Sequence, residues 1–496
     1  MNYRYSKNVI IFSLSLICKF SIAQYTQPFI KARNDAPNIL FICSDQQRWN
    51  TIGALGNPYV HTPNLDKLVK EGVSFTKAHC QSTVCTPSRA SFMTGMYPST
   101  ALASKNGASK WPEEAPLIST LLKDAGYECG MAGKLHLSTA MAHRPEIRPK
   151  DDGFSTFWNS HSPYQGGSAN DYIKWHKDRN IDILALKEKY GYVPVEYHQT
   201  TWIADRAIDF INEKREWPWF FNLNIYDPHG PFDPPKEYVE KYDVEKLPGP
   251  WVNNEDLKQK SKLNDILFQS KPKKFSDLEN KKRQALYWAQ IDLIDENIGR
   301  LLEALEKSDQ LDNTIIVFTS DHGEMLGDHG LTGKGCRFYE GLVRVPLVFW
   351  FPSEMEEDIQ SDALVELIDI APTLLDFAGI DIPEKMQGKS LLNILNGDAN
   401  PNYHRDFVRC EFYDALFPRP DVSQAFATML RDDEFKIVNY HGTSEGELFD
   451  MVNDPMEFSN LWNDPQYSNV KMDLMKRNFD ETVKAINTGP QRLARY

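Results

Sequence analysis

The chain contains 496 residues, of which 41% are hydrophobic and 25% are charged. A chain of this length and composition can bury a large core and has room for up to about three domains. Acidic residues outnumber Lys and Arg by 69 to 55, which gives a formal net charge of −14. This acidity argues against a general nucleic-acid-binding protein, because such proteins need a basic face that neutralises phosphates. An anionic substrate would have to be met by a few cations placed in a pocket.

The first 23 residues have the pattern of an export signal. Arg4 and Lys7 precede a short apolar run at residues 9–17, and a small-x-small cleavage site ends at Ala23. The run is shorter than the ~20 apolar residues that cross a bilayer, and we find no second stretch long enough to anchor the chain. We therefore expect an exported protein, periplasmic or secreted, without a membrane anchor. Removal of residues 1–23 takes away three cations and no acid, so the mature chain would carry −17.

Apolar runs and helical patterns alternate along most of the chain. Residues 38–44 are almost continuously apolar, which is typical of a strand buried on both faces of a parallel sheet, and 313–320 and 345–351 have the same character. A helix is predicted to begin near Thr62, and apolar residues keep helical spacing over 285–305. The alternation predicts an α/β fold with a large, mainly parallel sheet sandwiched by helices. Ligands of such sheets bind at the carboxyl ends of the strands.

Composition also suggests how the chain is divided. Residues 153–197 are aromatic and loop-like, and residues 234–275 are polar and contain prolines, so both resemble insertions over the core. A cluster of turn residues follows Leu395. We predict a catalytic domain at 35–395 and a smaller C-terminal α+β domain at 400–496, made of short strands and a final helix.

Two residue pairs that begin with Asp follow predicted strands. Asp45 and Gln46 come after the first strand and offer a carboxylate and an amide oxygen, which hard divalent cations prefer. Asp321 and His322 hold the equivalent place after the strand at 313–320. We therefore expect these side chains to meet at one edge of the sheet.

A group of short motifs includes one that begins at Cys85. Residues 85–89 read C-T-P-S-R, and S-F-M-T-G follows at 91–95. A lone C-x-P-x-R would be a weak signal, because a small buried Cys is the commoner use. Further motifs are S-D-Q-Q-R at 44–48, G-K-L-H-L at 133–137, D-P-H-G-P-F at 227–232, and S-D-H-G-E at 320–324 with G-K at 333–334. In an extended segment, Lys134 and His136 would point to the same side.

These motifs, in this order, resemble the type I sulfatases of the alkaline phosphatase superfamily. The resemblance implies that Cys85 is oxidised to formylglycine by a formylglycine-generating enzyme. It also implies one divalent metal, Ca²⁺ before Mn²⁺ or Mg²⁺, bound by Asp45, Gln46, the residue at Cys85, Asp321 and His322. Gln46 departs from the second Asp that many members carry, which makes the site one charge less negative. A weaker match, E-L-F-D at 447–450 with D-P at 454–455, falls in the small C-terminal domain.

The resemblance assigns further roles. Arg89, Lys134 and Lys334 would neutralise the sulfate oxygens. His229 would contact the sulfate or protonate the leaving oxygen, and His136 would act as base in the second half-reaction.

The expected function is a sulfatase that acts on a sulfated glycan, an algal polysaccharide such as ulvan or a glycosaminoglycan. One alternative is a phosphonate monoester or phosphodiester hydrolase of the same superfamily, and another is a non-catalytic glycan-binding relative. Trp158, Tyr164, Tyr172 and Trp175 could stack on sugar faces or form local core.

Overall fold

The computed structural model describes residues 32–487 except residue 34 and the segments 113–114, 141–145, 166–168, 268–269 and 417–423. The predicted signal segment, residues 1–23, lies outside the described residues. Within the described ranges, no helix combines the length and the apolar character needed to cross a membrane.

The described residues form two sheets. The strands are β1 (Asn38–Ser44), β2 (Val73–His79), β3 (Glu128–Gly133), β4 (Thr156–Asn159), β5 (Trp219–Asn224), β6 (Thr314–Ser320), β7 (Arg344–Val345), β8 (Leu347–Trp350), β9 (Ile359–Glu366), β10 (Val408–Tyr413), β11 (Phe426–Arg431), β12 (Phe435–Tyr440) and β13 (Gly446–Asp450).

Among the described residues, helices lie in half of the connections between these strands. They are α1 (Pro63–Lys70), α2 (Cys85–Thr94), α3 (Ile118–Asp124), α4 (Asp171–Lys177), α5 (Ile183–Tyr190), α6 (Gln199–Asn212), α7 (Lys236–Val239), α8 (Asn254–Gln259), α9 (Asp277–Lys307), α10 (Glu340–Val343), α11 (Ile370–Ala378), α12 (Leu392–Leu395) and α13 (Ser468–Lys484).

The larger sheet has the order β4-β3-β5-β1-β6-β8-β2-β7, and β9 also pairs with β2. Neighbours from β4 to β6 are parallel, as are β2 and β9, whereas β8 is antiparallel to β6 and β2, and β7 to β2. The prediction of a mainly parallel sheet is confirmed. The prediction of a single strand at 345–351 is wrong in one respect, because the structure has two strands there, β7 and β8. They are separated by Pro346, which has no N–H to donate to a neighbouring strand.

Helices cover both faces of this sheet, as predicted. Side chains of β1 alternate between two apolar clusters: Ile39 and Phe41 lie in the cluster with residues of α2, α3 and α11, and Leu40 and Ile42 lie in the cluster with residues of α1, α6 and α9. The long helix α9 begins with a capping box between Ser276 and Glu279 and leads into β6. The helices packed on the two faces hold the strands in place, and with them the edge of the sheet at which the parallel strands end.

The smaller sheet is antiparallel in the order β10-β11-β12-β13, and α13 packs against β11 and β12. Its strands and final helix agree with the elements expected beyond residue 400. Val408, Cys410 and Phe412 of β10 share an apolar cluster with the larger sheet. The division into domains at 35–395 and 400–496 stays a prediction.

The region 153–197 is not loop-like, which corrects the expectation from its composition. It contains β4, which pairs with β3 at the edge of the large sheet, and the helices α4 and α5. A strand of four residues is too short to show a clear period. Its aromatic side chains belong to the core: Tyr172 is buried and Trp158, Tyr164 and Trp175 pack against the same apolar cluster.

Candidate active site

The motif residues converge at the carboxyl edge of the large sheet. Asp45 follows β1, Lys134 follows β3, His229 lies in the loop after β5, and Asp321 follows β6. Because β3, β5, β1 and β6 are adjacent and parallel, their carboxyl ends meet. Cys85 comes to the same place as the first residue of α2.

Cys85 lies at the centre of this group, and its side chain is 1% exposed. Its Sγ is 2.7 Å from Lys334 Nζ, 3.3 Å from His322 Nε2, 3.6 Å from Lys134 Nζ and 3.7 Å from Asp45 Oδ1. Burial and the Asp45 carboxylate raise the pKa of the thiol, but Lys134, Lys334 and His322 lower it, so that the net pKa lies well below its usual value. The surroundings therefore favour a negative charge at this atom.

Arg89 is one helical turn beyond Cys85 and binds protein groups. Its Nε donates to Asp321 Oδ2 at 2.9 Å, and its Nη2 lies 3.4 Å from Asp45 Oδ2. Its Nη1 donates to the Lys134 carbonyl at 2.6 Å and to Asn224 Oδ1 at 3.2 Å. The guanidinium therefore ties together the ends of β1, β3, β5 and β6.

The predicted metal ligands form a donor set of suitable chemistry. Single ligand atoms of Asp45, Cys85, Asp321 and His322 lie within 4.8 Å of one another, and all four residues are buried. His322 Nδ1 is 2.9 Å from the Gly323 carbonyl. Donation to that carbonyl leaves the Nε2 lone pair on the side of Cys85, as second-sphere partners of metal-binding histidines do.

Gln46 supports the same conclusion. Its Nε2 donates to Glu324 Oε2, whereas its Oε1 is buried and has no hydrogen-bond partner among the described residues. An unpartnered buried amide oxygen is costly, and a cation would satisfy it. Oxygen donors from three side chains with one imidazole fit a divalent cation.

Lys134 and His136 are placed differently from the extended geometry that we expected for them. The chain turns after β3, because His136 has a φ of 54°, so Lys134 and His136 do not alternate along a strand. Burial, and then Lys134 and Arg89, hold the pKa of His136 well below its usual value.

His229 lies in the loop after β5. Its Nδ1 is 2.8 Å from the Gly230 carbonyl, to which it donates when protonated there. Burial, and then Lys334, lower the pKa of this imidazole to about 3. His229 is therefore neutral at neutral pH in the free enzyme.

Three further residues complete the site, and sequence reasoning gave them no role. Glu146 accepts backbone hydrogen bonds from His136 and its neighbours, Asn224 binds Arg89, and Glu324 binds Gln46. Glu324 lies inside the S-D-H-G-E motif, so its position was a usable signal. Glu146 and Asn224 carry no such pattern.

Comparisons with known proteins identify the family of this chain. Residues 37–380 match the sulfatase family, and residues 327–484 match the family described as N-sulphoglucosamine sulphohydrolase, C-terminal. An arylsulfatase of Clostridium perfringens is 33% identical over 456 residues, which cover 87% of this chain and 91% of that protein. The N-acetylglucosamine-6-O-sulfatase of Bacteroides thetaiotaomicron is 28% identical over 533 residues, covering 94% and 90%.

A phosphonate monoester hydrolase from Silicibacter pomeroyi has a similar structure, with a TM-score of 0.79 and 25% identity over 91% of this chain and 96% of that one. The fold and the site define a hydrolase of the alkaline phosphatase superfamily. Within that class the chain belongs to the sulfatase family and is a sulfuric ester hydrolase. The alternative of a non-catalytic glycan-binding relative is thereby left without support.

Proposed function

We propose that the protein removes sulfate from a sulfated glycan, with formylglycine derived from Cys85 as the nucleophile. The observation that carries the proposal is the position of Cys85 Sγ between Lys334 and His322, beside the carboxylate of Asp45. The glycan is inferred from the similarity to an N-acetylglucosamine-6-O-sulfatase. An algal polysaccharide such as ulvan and a glycosaminoglycan both belong to this substrate class.

In the mature enzyme a hydroxyl of the hydrated aldehyde would take the place of the Cys85 thiol. The ammonium groups that contact Sγ, those of Lys334 and Lys134, would then favour loss of the hydroxyl proton. A divalent cation, Ca²⁺ by the preference of hard oxygen donors, would be held by Asp45, Gln46, residue 85, Asp321 and His322 and would lower the pKa of that hydroxyl further.

The cations divide into two groups in this proposal. Lys134 and Lys334 bind the sulfate oxygens and stabilise the charge that develops during transfer. Arg89 contributes positive charge to the same site, but all three of its nitrogens bind protein groups, whereas Lys134 Nζ contacts Asp45 and Cys85, so the main task of Arg89 is to hold the carboxylates of Asp321 and Asp45.

The histidines move protons in two separate steps. Binding of a negatively charged sulfate ester raises the low pKa of His229, so that its Nε2 carries a proton to the leaving oxygen. His136 stays neutral because of its low pKa. It therefore accepts the proton of the remaining hydroxyl, sulfate is released and the aldehyde returns.

Two measurements test the proposal. Mass spectrometry of the Cys85 peptide, from protein made in a host with a formylglycine-generating enzyme, should find the aldehyde, and a panel of defined sulfated oligosaccharides should show sulfate release. Cys85→Ser is the matched control and should be almost inactive. An unmodified thiol in fully active protein, or near-normal activity of Cys85→Ser, would contradict the proposal.

Phosphonate monoester hydrolysis is the second candidate, and the structural similarity to a phosphonate monoester hydrolase favours it. Both reactions place an anionic ester beside the same nucleophile. Rates with an aryl sulfate and the matching aryl phosphonate monoester, measured side by side, distinguish them. A higher kcat/KM for the phosphonate would make it the main activity.

Export to the periplasm or medium, with cleavage after Ala23, completes the proposal. It is supported by the sequence of residues 1–23, in which two cations precede an apolar run. Fractionation of expressing cells, followed by N-terminal sequencing of the protein, tests it. Protein that stays in the cytosol with an intact N-terminus would contradict it.

A further inference from the structure

The backbone of residues 136–138, which carries His136, is bound by one buried carboxylate, whereas the backbone of Lys134 is held separately by Asn224 and Arg89. Glu146 is 7% exposed and accepts three successive backbone N–H groups, at 2.8 Å from His136, 2.5 Å from Leu137 and 3.4 Å from Ser138. Three convergent backbone donors form a fixed anion-binding nest, here occupied by a side chain of the same chain.

The nest coincides with an unusual backbone conformation. His136 has a φ of 54°, a left-handed conformation that a non-glycine residue adopts at a cost of about 1–2 kcal/mol. This conformation turns consecutive N–H groups to one side, where Glu146 binds them. Glu146 therefore stabilises the turn that sets the direction of the His136 side chain.

The His136 ring itself makes few contacts that could fix its orientation. His136 Nδ1 is buried and has no hydrogen-bond partner among the described residues. The ring of His161 meets it edge-on, with centroids 4.4 Å apart and an interplanar angle of 82°. Histidines that act as bases are commonly oriented through a carboxylate bound to Nδ1, an arrangement that this ring does not have within the described residues.

We propose that Glu146 is the positioning residue for His136, and that it acts through the backbone of the turn instead of through the ring. The proposal rests on the proposed function, in which His136 takes the proton that releases sulfate from the covalent sulfo-enzyme. Glu146 does not touch substrate and takes no part in the first half-reaction.

The assignment makes a kinetic prediction that a general structural role does not. In a two-step reaction, kcat/KM reports the steps up to departure of the alcohol, whereas kcat includes breakdown of the sulfo-enzyme. Misplacement of the base should slow only the breakdown. Glu146→Gln keeps the size of the side chain but replaces one acceptor oxygen by a donor NH₂, so at least one of the three backbone bonds is lost.

The experiment compares Glu146→Gln with wild type on an aryl sulfate, by stopped-flow and by intact mass spectrometry of acid-quenched enzyme. We expect kcat to fall about 10- to 100-fold, kcat/KM to stay near the wild-type value, a burst of aryl alcohol to appear, and sulfo-enzyme to accumulate. A fall of kcat and kcat/KM in the same proportion, without a burst, would overturn the proposal.

Two further variants distinguish a positioning role of Glu146 from a general effect of losing a buried carboxylate. Glu411 is another buried carboxylate that accepts a backbone N–H, from Ser99 at 2.6 Å, and Glu411→Gln should show no burst. If Glu146→Gln does not fold, Glu146→Asp keeps the charge with a shorter reach and should show the same split to a smaller degree, and proportional losses there would overturn the proposal.

His136→Ala distinguishes failure of the positioning role of Glu146 from failure of the role proposed for His136. If it accumulates sulfo-enzyme and Glu146→Gln does not, the positioning role is wrong and the proposed function stands. If His136→Ala accumulates none, the role given to His136 is itself wrong.

Discussion

Two clusters of buried charge in this protein resemble each other in composition and differ in how their cations are paired. The catalytic cluster contains three cations, Arg89, Lys134 and Lys334, against the carboxylates of Asp45 and Asp321. The interface cluster, where the segment after β6 meets the C-terminal sheet, contains Arg344, Arg431 and Lys436 against Glu340 and Glu457.

The pairing of the cations shows which cluster is built for a ligand. In the interface cluster Lys436 Nζ is 3.0 Å from Glu340 Oε1 and also contacts Glu457, and Arg431 is 3.5 Å from Glu340. In the catalytic cluster Lys334 has no carboxylate within ion-pair distance among the described residues and contacts Cys85 and His322 instead. An uncompensated cation beside a nucleophile is the complement of an anionic substrate.

The largest expected effect comes from removing that uncompensated cation. Lys334→Met should lower kcat/KM for an aryl sulfate roughly 100- to 1,000-fold, because one donor to the developing charge is lost. The free energy of unfolding should not fall, because no carboxylate loses its partner. Steady-state kinetics and urea unfolding measure the two quantities.

A loss of stability as large as that of an interface variant would mean that Lys334 is a structural residue. Lys258→Met is the control for the substitution itself, because Lys258 pairs with Glu255 at an exposed site. It should change stability by about 0–1 kcal/mol and leave activity alone.

The second prediction expects the opposite result, a loss of stability without a loss of activity. Lys436→Met leaves Glu340 and Glu457 buried without their shared cation, which should lower the free energy of unfolding by about 3–5 kcal/mol. The kcat of the folded enzyme should stay near the wild-type value. Urea unfolding, with activity measured below the transition, tests it; a large fall of kcat in folded protein would remove the distinction between the clusters.

The smallest expected effect concerns pH. His79 contacts Glu340 at the interface cluster, and burial lowers its pKa from 6.5 to about 4 although Glu340 acts to raise it. Unfolding therefore takes up a proton between these two values, and stability that is complete above pH 6.5 is lost as pH falls toward 4. The contribution should approach 1.4 kcal/mol per pH unit, reduced by the salt bridges nearby.

Urea unfolding at pH 7, 6 and 5 of wild type and His79→Gln measures this contribution. The variant should show a shallower loss of stability over this range. Identical slopes would show that His79 is not the residue that takes up the proton.

The sequence predicted the parts of the site that follow strands. Asp45 and Asp321 were placed correctly at the carboxyl edge because buried parallel strands have a continuous apolar pattern that ends where the polar residue begins. Their grouping with Cys85 was inferred from the order of motifs, and the structure brings these residues together.

The remaining features depend on contacts between distant segments. Glu146 lies beyond the G-K-L-H-L motif and binds backbone N–H groups, so any carboxylate of suitable reach would serve, and no local pattern identifies it. Strand β4 escaped prediction because four residues show no clear period. The interface cluster combines residues of β2, α10, β11 and β12, and its pairing becomes visible only in the folded chain.

The burial of Cys85 has a consequence for the order of events during synthesis. With 1% of its surface exposed and its Sγ in contact with Lys334 and His322, Cys85 is out of reach of another protein in the folded chain. In the proposed maturation, Cys85 would therefore have to be converted to formylglycine before α2 packs against the sheet, while residues 85–89 still form an open peptide. We expect the modifying enzyme to accept the denatured, unmodified chain and to refuse the folded chain. Modification of Cys85 would then be possible only before folding is complete.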